Sequence, residues 1–366
     1  MRIVFVQAGL TAGGAEKVVN VLARHNAGLG NEVFVIAFSG SPGQSYFAYP
    51  DSVRIITMEG EPERTHGRLR SAFARTAWLA RQFRALKPDV AVSFLTKTNV
   101  MSMAAGLVTG VPVVISERNN PTKRAASPLW LRAINVFGRQ ATAIVMQTDA
   151  SQQILASALR KKAVVIPNPA VLPEGVTFSS GDGQRIVAVG RLEPQKGFDL
   201  LIRAFAQVGK DLSKASLTIF GEGPDLADLQ ALAQELDIAD RLNFAGLSAT
   251  PGMWLAEGDI FVLSSRFEGF PNVLVEALAG GLASIAFDCP WGPSDIIMSG
   301  ENGLLVPQEN VPALAQAIRK LLTDPDLRLK LAKAGPPTAT RFSLDSVLAK
   351  WDFVIKKATA GRGALA

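Results

Sequence analysis

Two glutamates eight residues apart, Glu268 and Glu276, stand in the stretch RFEGFPNVLVEALAG at 266–280. The apolar, β-branched run at 259–264 predicts a strand buried on both faces, and the Ser, Gly and Pro that follow predict a loop. Pro271 and Asn272 suit a helix start, because Val273, Leu274, Ala277 and Leu278 recur behind them at helical spacing. Glu268 then lies in the loop, free to touch a reacting group. Glu276 lies in the second helical turn and suits a pair of hydroxyls. The free N–H groups of the helix start attract anions such as phosphate. A solvent-facing loop Glu and a helix-surface Glu are the ordinary alternative, and the pair alone does not decide.

The loop GRLEPQKG at 190–197 carries more weight. It puts Arg191 and Lys196 between a strand and a helix. Arginine offers phosphate a bidentate fork and lysine a mobile point charge. Either could simply be solvated. The two cations and the helix start near Asn272 belong to the same sheet edge, and that coincidence favours a diphosphate ligand.

The elements that must hold these residues can be read along the chain. At 366 residues the chain is long enough for two domains of about 170 to 180 residues each. The first, 1–168, alternates strands at 1–7, 32–38, 53–57, 89–94, 111–116 and 143–147 with helical stretches, which implies a parallel, doubly wound sheet. Residues 169–184, rich in Pro, Gly and Ser, read as a linker. The alternation restarts over 185–342, and an amphipathic helix over 343–366 is expected to pack back on the N-terminal domain. Ligands of such sheets bind beyond the carboxyl ends of the strands.

Gly9, Gly13 and Gly14 lack the spacing of a dinucleotide-binding turn, which counts against a dehydrogenase. Gly14 still allows main chain to approach a ligand at a helix start, or merely makes a tight turn. Residues 1–170 carry a net charge of +11 and the rest −5. A basic half can meet an anionic membrane or a phosphorylated substrate. No nucleic-acid motif accompanies the charge, so nucleic acid is not expected as a partner. Within it, 64–87 reads as a basic amphipathic helix, with Leu69, Ala72, Phe73, Leu79, Ala80 and Phe83 on one broad face and Trp78 available to a lipid interface. That face is first of all core, with an arginine rim left to touch lipid.

The composition is 48% hydrophobic and 19% charged, and no apolar run approaches the roughly 18 residues of a spanning helix. The N-terminus lacks the order of a signal peptide, and the single Cys289 provides no disulfide framework. A cytoplasmic protein is expected. The one D-x-D string, at 324–326, reads as a cap or turn rather than a metal site.

The sequence resembles the retaining glycosyltransferases of the GT-B fold, family four, over nearly its whole length. Four blocks carry the resemblance: GGAEKVV at 13–19, IPNP at 166–169, GRLEPQKGFDLLIRAF at 190–205 and EGFPNVLVEALA at 268–279. The runs at 287–307 and 116–121 look most like the subgroup that builds exopolysaccharides and other lipid-linked glycans, the amylovoran type among them. The resemblance implies two Rossmann-like α/β domains with the active site in the interdomain cleft. It implies that Arg191 and Lys196 hold a nucleotide diphosphate, that Glu276 binds ribose and that Glu268 contacts the donor sugar. The backbone of Gly269, Phe270, Pro271 and Asn272 would complete that pocket, with Gly14 approaching from the other domain. Gly221, Gly223, Gly246 and Leu247 would lie by the base.

What this implies functionally is transfer of a hexose or N-acetylhexosamine from a nucleotide sugar, UDP being assumed, to a polyprenyl-diphosphate-linked saccharide. The setting would be the cytoplasmic face of a membrane, with no cofactor and no metal. Many relatives place a histidine where this chain reads Ser116-Glu117-Arg118. His25 and His66 are the only histidines, and neither lies in that loop. Arg118, with Glu117, is the replacement candidate for orienting the acceptor or stabilising charge, and Lys17, Lys123 and Arg124 are candidates for the acceptor's phosphates. The competing readings are a sugar-nucleotide hydrolase or epimerase and a non-catalytic sugar-nucleotide-binding partner in glycan assembly.

Overall fold

The computed structural model describes residues 1–58, 68–118, 128–170, 172, 181–208, 212–248, 250 and 252–360. The chain divides into two compact units, Met1–Asn168 with Asp345–Ala366, and Pro169–Leu344. His66, Lys123, Arg124 and most of the 169–184 segment lie outside the described residues.

In the first unit β1 (Arg2–Gln7), β2 (Glu32–Ala37), β3 (Val53–Thr57), β4 (Val90–Phe94), β5 (Val113–Ser116), β6 (Ala143–Met146) and β7 (Ala163–Val165) form one parallel sheet in the order β3-β2-β1-β4-β5-β6-β7. The helices are α1 (Gly14–Gly28), α2 (Arg68–Leu86), α3 (Thr96–Thr109), α4 (Pro128–Phe137), α5 (Asp149–Gln153) and α6 (Ser157–Arg160). Period-two alternation feeds two cores. Ile3 and Phe5 face one cluster with α1, while Val4 and Val6 face another with α2 and α3.

On α2, Leu79, Ala80 and Phe83 are buried, but Phe73 is 78% exposed, in line with exposed Ala77, Arg81 and Arg84. At 3.6 residues per turn Phe73 stands about 100° around the helix from the Leu79–Phe83 direction. Ala80, seven residues on and within about 20° of Phe73 around the helix, is nevertheless buried, so Phe73 is exposed near the start of α2 on a line that is covered further along it. Trp78 does not face outward alone: it packs on Phe38, with ring centroids 6.0 Å apart.

The second unit repeats the plan. Its strands β8 (Arg185–Val189), β9 (Ser216–Phe220), β10 (Leu242–Gly246), β11 (Ile260–Leu263), β12 (Ala283–Asp288) and β13 (Leu304–Pro307) are ordered β10-β9-β8-β11-β12-β13, all pairs parallel. The accompanying helices are α7 (Phe198–Gln207), α8 (Leu226–Glu235), α9 (Asn272–Ala279), α10 (Pro293–Ile296), α11 (Val311–Thr323) and α12 (Pro325–Ala339). In both sheets the strand order reverses beside the first strand, at β1/β4 and at β8/β11. Such a switch point opens a crevice at the carboxyl edge.

Asp324 caps α12, accepting from the Leu327 backbone N–H at 2.9 Å. The last helix, α13 (Leu344–Ala360), returns to the first unit, where Val347, Leu348, Trp351, Val354 and Ile355 join the Ile3–Phe5 core. His25, in the last turn of α1, is partly buried there, its Nε2 3.1 Å from Asp352 on α13. That contact takes it off the open helix surface. No helix among the described residues is long and apolar enough to cross a membrane.

Candidate active site

The loops after β8 and β11 leave adjacent strands at the switch point of the second sheet, and hydrogen bonds join them. The backbone N–H of Arg266 donates to the Gln195 carbonyl at 2.8 Å, and Gln195 Nε2 donates to the Phe267 carbonyl at 3.0 Å. The Arg266 guanidinium holds both Asp199 oxygens, at 2.9 and 2.7 Å, and lies 3.2 Å from Glu309. Burial pushes the Asp199 carboxyl up, but the hydrogen bonds and charge of Arg266 outweigh it and hold the group below the usual carboxylate range. Arg266 is a brace between loops.

This bracing brings Lys196 to Glu268. Their Nζ–Oε1 distance is 2.8 Å, and their side chains keep only 17% and 6% of their exposure. Ser265 Oγ donates to the same Oε1 at 2.6 Å, and Ser264 Oγ donates to the Lys196 carbonyl at 2.9 Å. Among the described residues Oε2 of Glu268 accepts no hydrogen bond, so one carboxylate oxygen is anchored and the other is available to a hydroxyl. The turn into α7 depends on Gly197, whose φ is 62° and where a Cβ would overlap the Ser264 carbonyl oxygen. Both loops close tightly only with glycine there.

Arg191 behaves differently. Its side chain is 66% exposed and lies 3.2 Å from Glu193. Glu276 is in the second turn of α9 and only 4% exposed, flanked by buried Leu274, Val275, Ala277 and Leu278. A glutamate buried on that helix is not the surface residue that a bare helix pattern would give. Pro271 precedes α9, whose first turn holds no acidic residue and no side-chain cap; the Asn272 N–H donates to the Phe270 carbonyl at 3.0 Å, and the Leu274 and Val275 N–H groups turn back to the Pro271 carbonyl at 3.0 and 3.3 Å. Phe270 is buried on Phe342, and Gly269 to Asn272 form the entry to the helix.

The loop after β9 lies against the same edge. Gly221, at φ 141°, presses so close to Gly190 that a Cβ would overlap its carbonyl oxygen. The Gly221 N–H donates to the Gly246 carbonyl at 2.8 Å, and Leu192 N–H donates to Glu222 at 2.9 Å, beside Gly223. Leu247 follows, 44% exposed. Lys196, Glu268, the α9 start and this nested backbone are thus gathered at the carboxyl ends of β8, β9, β10 and β11. Cys289 is buried near them. Desolvation first, then the nearby Glu268, pushes its thiol up to about 12, which makes it an inert packing group.

The remaining candidates belong to the first unit. Gly14 is exposed at the first position of α1, and Lys17, partly buried, donates its backbone N–H to Gly13 at 3.0 Å. Glu117 and Arg118 follow β5 and are both buried. The Thr96 hydroxyl donates to Glu117 Oε2 at 2.9 Å, while Glu117 Oε1 accepts from the Arg118 backbone N–H at 3.2 Å. Arg118 Nη1 donates to Asn168 Oδ1, and its Cζ lies 5.2 Å from the Phe94 ring and 5.6 Å from that of Trp351. Burial pushes the guanidinium down to about 9 despite Glu117. Sequence reasoning missed Ser264, Ser265, Asn168, Phe94 and Trp351. The SS pair after β11 and the Asn of IPNP were visible in the sequence as polar residues at strand ends.

Two parallel Rossmann-like sheets with this site define a GT-B architecture, and comparison with known proteins agrees. The family described as Glycosyltransferase Family 4 matches residues 12–172, and Glycosyl transferases group 1 matches 176–337. The chain belongs to this family of GT-B glycosyltransferases.

An exopolysaccharide phosphotransferase of Streptomyces coelicolor is 34% identical over 75% of this chain, and the match spans only 29% of that protein. The GalNAc-alpha-(1->4)-GalNAc-alpha-(1->3)-diNAcBac-PP-undecaprenol alpha-1,4-N-acetyl-D-galactosaminyltransferase of Campylobacter jejuni is 25% identical over 96% of this chain and 97% of its own length. The structure of Anabaena HepE in complex with UDP and glucose superposes with a TM-score of 0.81 at 20% identity, covering 97% of this chain and 99% of that one. That likeness speaks for the fold.

Proposed function

We propose that this protein is a retaining, metal-independent glycosyltransferase that moves a hexose or N-acetylhexosamine from a nucleotide sugar, UDP-linked, to a lipid-linked saccharide in bacterial polysaccharide or glycan assembly. The observation that carries the proposal is the Lys196–Glu268 pair at the carboxyl edge of β8 and β11, in a chain of this family. Departure of a nucleoside diphosphate develops negative charge on its β-phosphate and positive charge at the anomeric carbon. Lys196, Arg191 and the N–H groups at the start of α9 would stabilise the leaving group. In this assignment the cations supply the charge that a divalent ion would otherwise bring.

Glu268 Oε2 would accept from a donor-sugar hydroxyl while Oε1 stays on Lys196 and Ser265. Glu276 would take the ribose hydroxyls, the backbone from Gly269 to Asn272 the sugar and phosphates, and the Gly221, Gly223, Gly246 and Leu247 backbone the base. On the first unit, Gly14 would offer main chain to the donor. Lys17, Glu117 and Arg118 would serve the acceptor, together with Lys123 and Arg124. Retention is carried by the family resemblance, with attack by the acceptor hydroxyl on the face that the diphosphate leaves. The UDP of the HepE complex and the undecaprenol in the Campylobacter name support the choice of donor and acceptor class.

A lipid-linked acceptor calls for work at the cytoplasmic surface of a membrane. Exposed Phe73 beside exposed Arg70, Arg81 and Arg84 on α2 supports peripheral binding to anionic lipid. Vesicle binding should then be sensitive to salt and weakened in Phe73→Glu, and equal binding to neutral vesicles would remove the membrane contact. The test of the activity is a thermal-shift screen of nucleotide sugars followed by mass spectrometry of glycolipid products. Free sugar released without acceptor would favour a hydrolase. Donor binding with no transfer to any lipid acceptor would favour a non-catalytic partner.

A further inference from the structure

The guanidinium of Arg118 is held on three sides within the first unit. Nη1 donates to Asn168 Oδ1, and the Phe94 and Trp351 rings lie 5.2 and 5.6 Å from Cζ. Glu117 does not close the fourth side by hydrogen bonding. Its oxygens accept from the Thr96 hydroxyl and from the Arg118 backbone. The side left over is the Nε–Nη2 edge, and among the described residues neither atom has a partner although the residue is only 7% exposed. Among the described residues Trp351 Nε1, in the same cage, is a further buried donor without an acceptor.

The cage is thus short of acceptors. Buried donors are ordinarily paired, and leaving one unmade costs more than a hydrogen bond contributes. The Nε–Nη2 edge is also the edge that makes two parallel bonds to a carboxylate or phosphate. The cage keeps the planar fork from rotating, which lysine could not reproduce. The α13 helix enters this arrangement through Trp351, a residue over 230 positions from Arg118 in sequence.

The geometry points to an oxyanion subsite in the first unit, in which the Nε–Nη2 edge of Arg118, steadied by Asn168, Phe94 and Trp351, takes two oxygens of a phosphate group. Desolvation of the guanidinium agrees with it, since a bound anion would restore the charge balance that burial removes. A phosphate at this point can come from the diphosphate of a lipid-linked acceptor or from that of the nucleotide donor. The choice of ligand rests on the transferase reading. The existence of the subsite rests on the unfilled edge.

Calorimetry on the full chain with farnesyl diphosphate and, separately, with UDP tests it, using Arg118→Lys and Arg118→Gln. The expected result is that one of the two ligands loses at least tenfold in affinity in both variants while the other changes less than twofold. Loss for farnesyl diphosphate assigns the acceptor's phosphates, and loss for UDP assigns the donor's. Wild-type affinity for both ligands in folded Arg118→Gln overturns the subsite, as does a wild type that binds neither.

A measurement that leaves Arg118 intact guards against a variant that does not fold. Saturating ligand should change the fluorescence of the wild type, and Trp351→Phe should lack that change. An identical change in Trp351→Phe overturns the cage. Absence of product with every nucleotide sugar, by contrast, falls on the transferase reading and leaves these binding results standing.

Discussion

Lys196 and Glu268 meet at 2.8 Å although they arise from loops after different strands, β8 and β11. The contact spans the point where the strand order reverses, and both side chains are largely out of water. Neither group can be removed without stranding the other. The ion pair therefore both fixes the two loops and presents a cation with one free carboxylate oxygen to a ligand.

Lys196→Ala and Glu268→Ala should each abolish transfer, with losses of about 100-fold or more if they stabilise the leaving group or the sugar. Each should also lower stability, by up to about 3 kcal/mol, because a partly buried charge is left alone. Replacing both, as Lys196→Met with Glu268→Leu, should recover much of that stability but none of the activity. The check is a pair of measurements, product formation and thermal melting. Near-normal turnover in folded single variants would sink the assignment.

Arg191→Ala should separate binding from folding. The side chain is 66% exposed and, among the described residues, paired only with Glu193 in its own loop, so its removal should change stability by less than about 0.5 kcal/mol. UDP affinity should fall about tenfold, as expected for a lost charge-assisted contact to phosphate. Titration with UDP beside a melting curve decides it, and unchanged affinity would leave Lys196 as the diphosphate's cation.

The strand–helix alternation made both sheets legible, because β1 and β11 are short apolar runs closed by turn residues. The opening stretch was legible for the same reason: buried Leu274 and Leu278 keep helical spacing behind Pro271. What spacing could not give was distance. Nothing local to Arg118 announces Trp351, and nothing local to Lys196 says that its charge meets Glu268. Phe73 misled because a helical wheel reports angle and not where the sheet lies. β13 (Leu304–Pro307) lies inside the run at 287–307, whose residues read as a family motif rather than as a strand.

Gly197→Ala should be costly where Gly28→Ala is not. At 197 the backbone is left-handed and a Cβ would overlap the Ser264 carbonyl, whereas nothing lies within 4 Å of a Cβ at 28, in α1. The first substitution should lose about 2 kcal/mol or more and weaken UDP binding, because it moves Lys196. The second should be neutral or gain up to about 1 kcal/mol through its helical preference. Equal melting temperatures for the two variants would contradict the close approach of the two loops.

Acid should act through Asp259 and Asp199. Burial raises both carboxyls, yet Arg185 holds Asp259 and Arg266 holds Asp199, and both end below the usual range. A folded-state value below the unfolded one, near 3.9, means that the stabilisation is present above about pH 5 and is lost as pH falls through the folded value. Asp259→Asn should therefore be less stable than the wild type at pH 7, and the two melting curves should converge towards pH 3. Asp199 keeps 39% of its side-chain exposure against 6% for Asp259, so its variant should show a smaller difference, further reduced by salt. A constant gap between wild type and Asp259→Asn from pH 7 to pH 3 would mean that the pair with Arg185 acts through packing and not through charge.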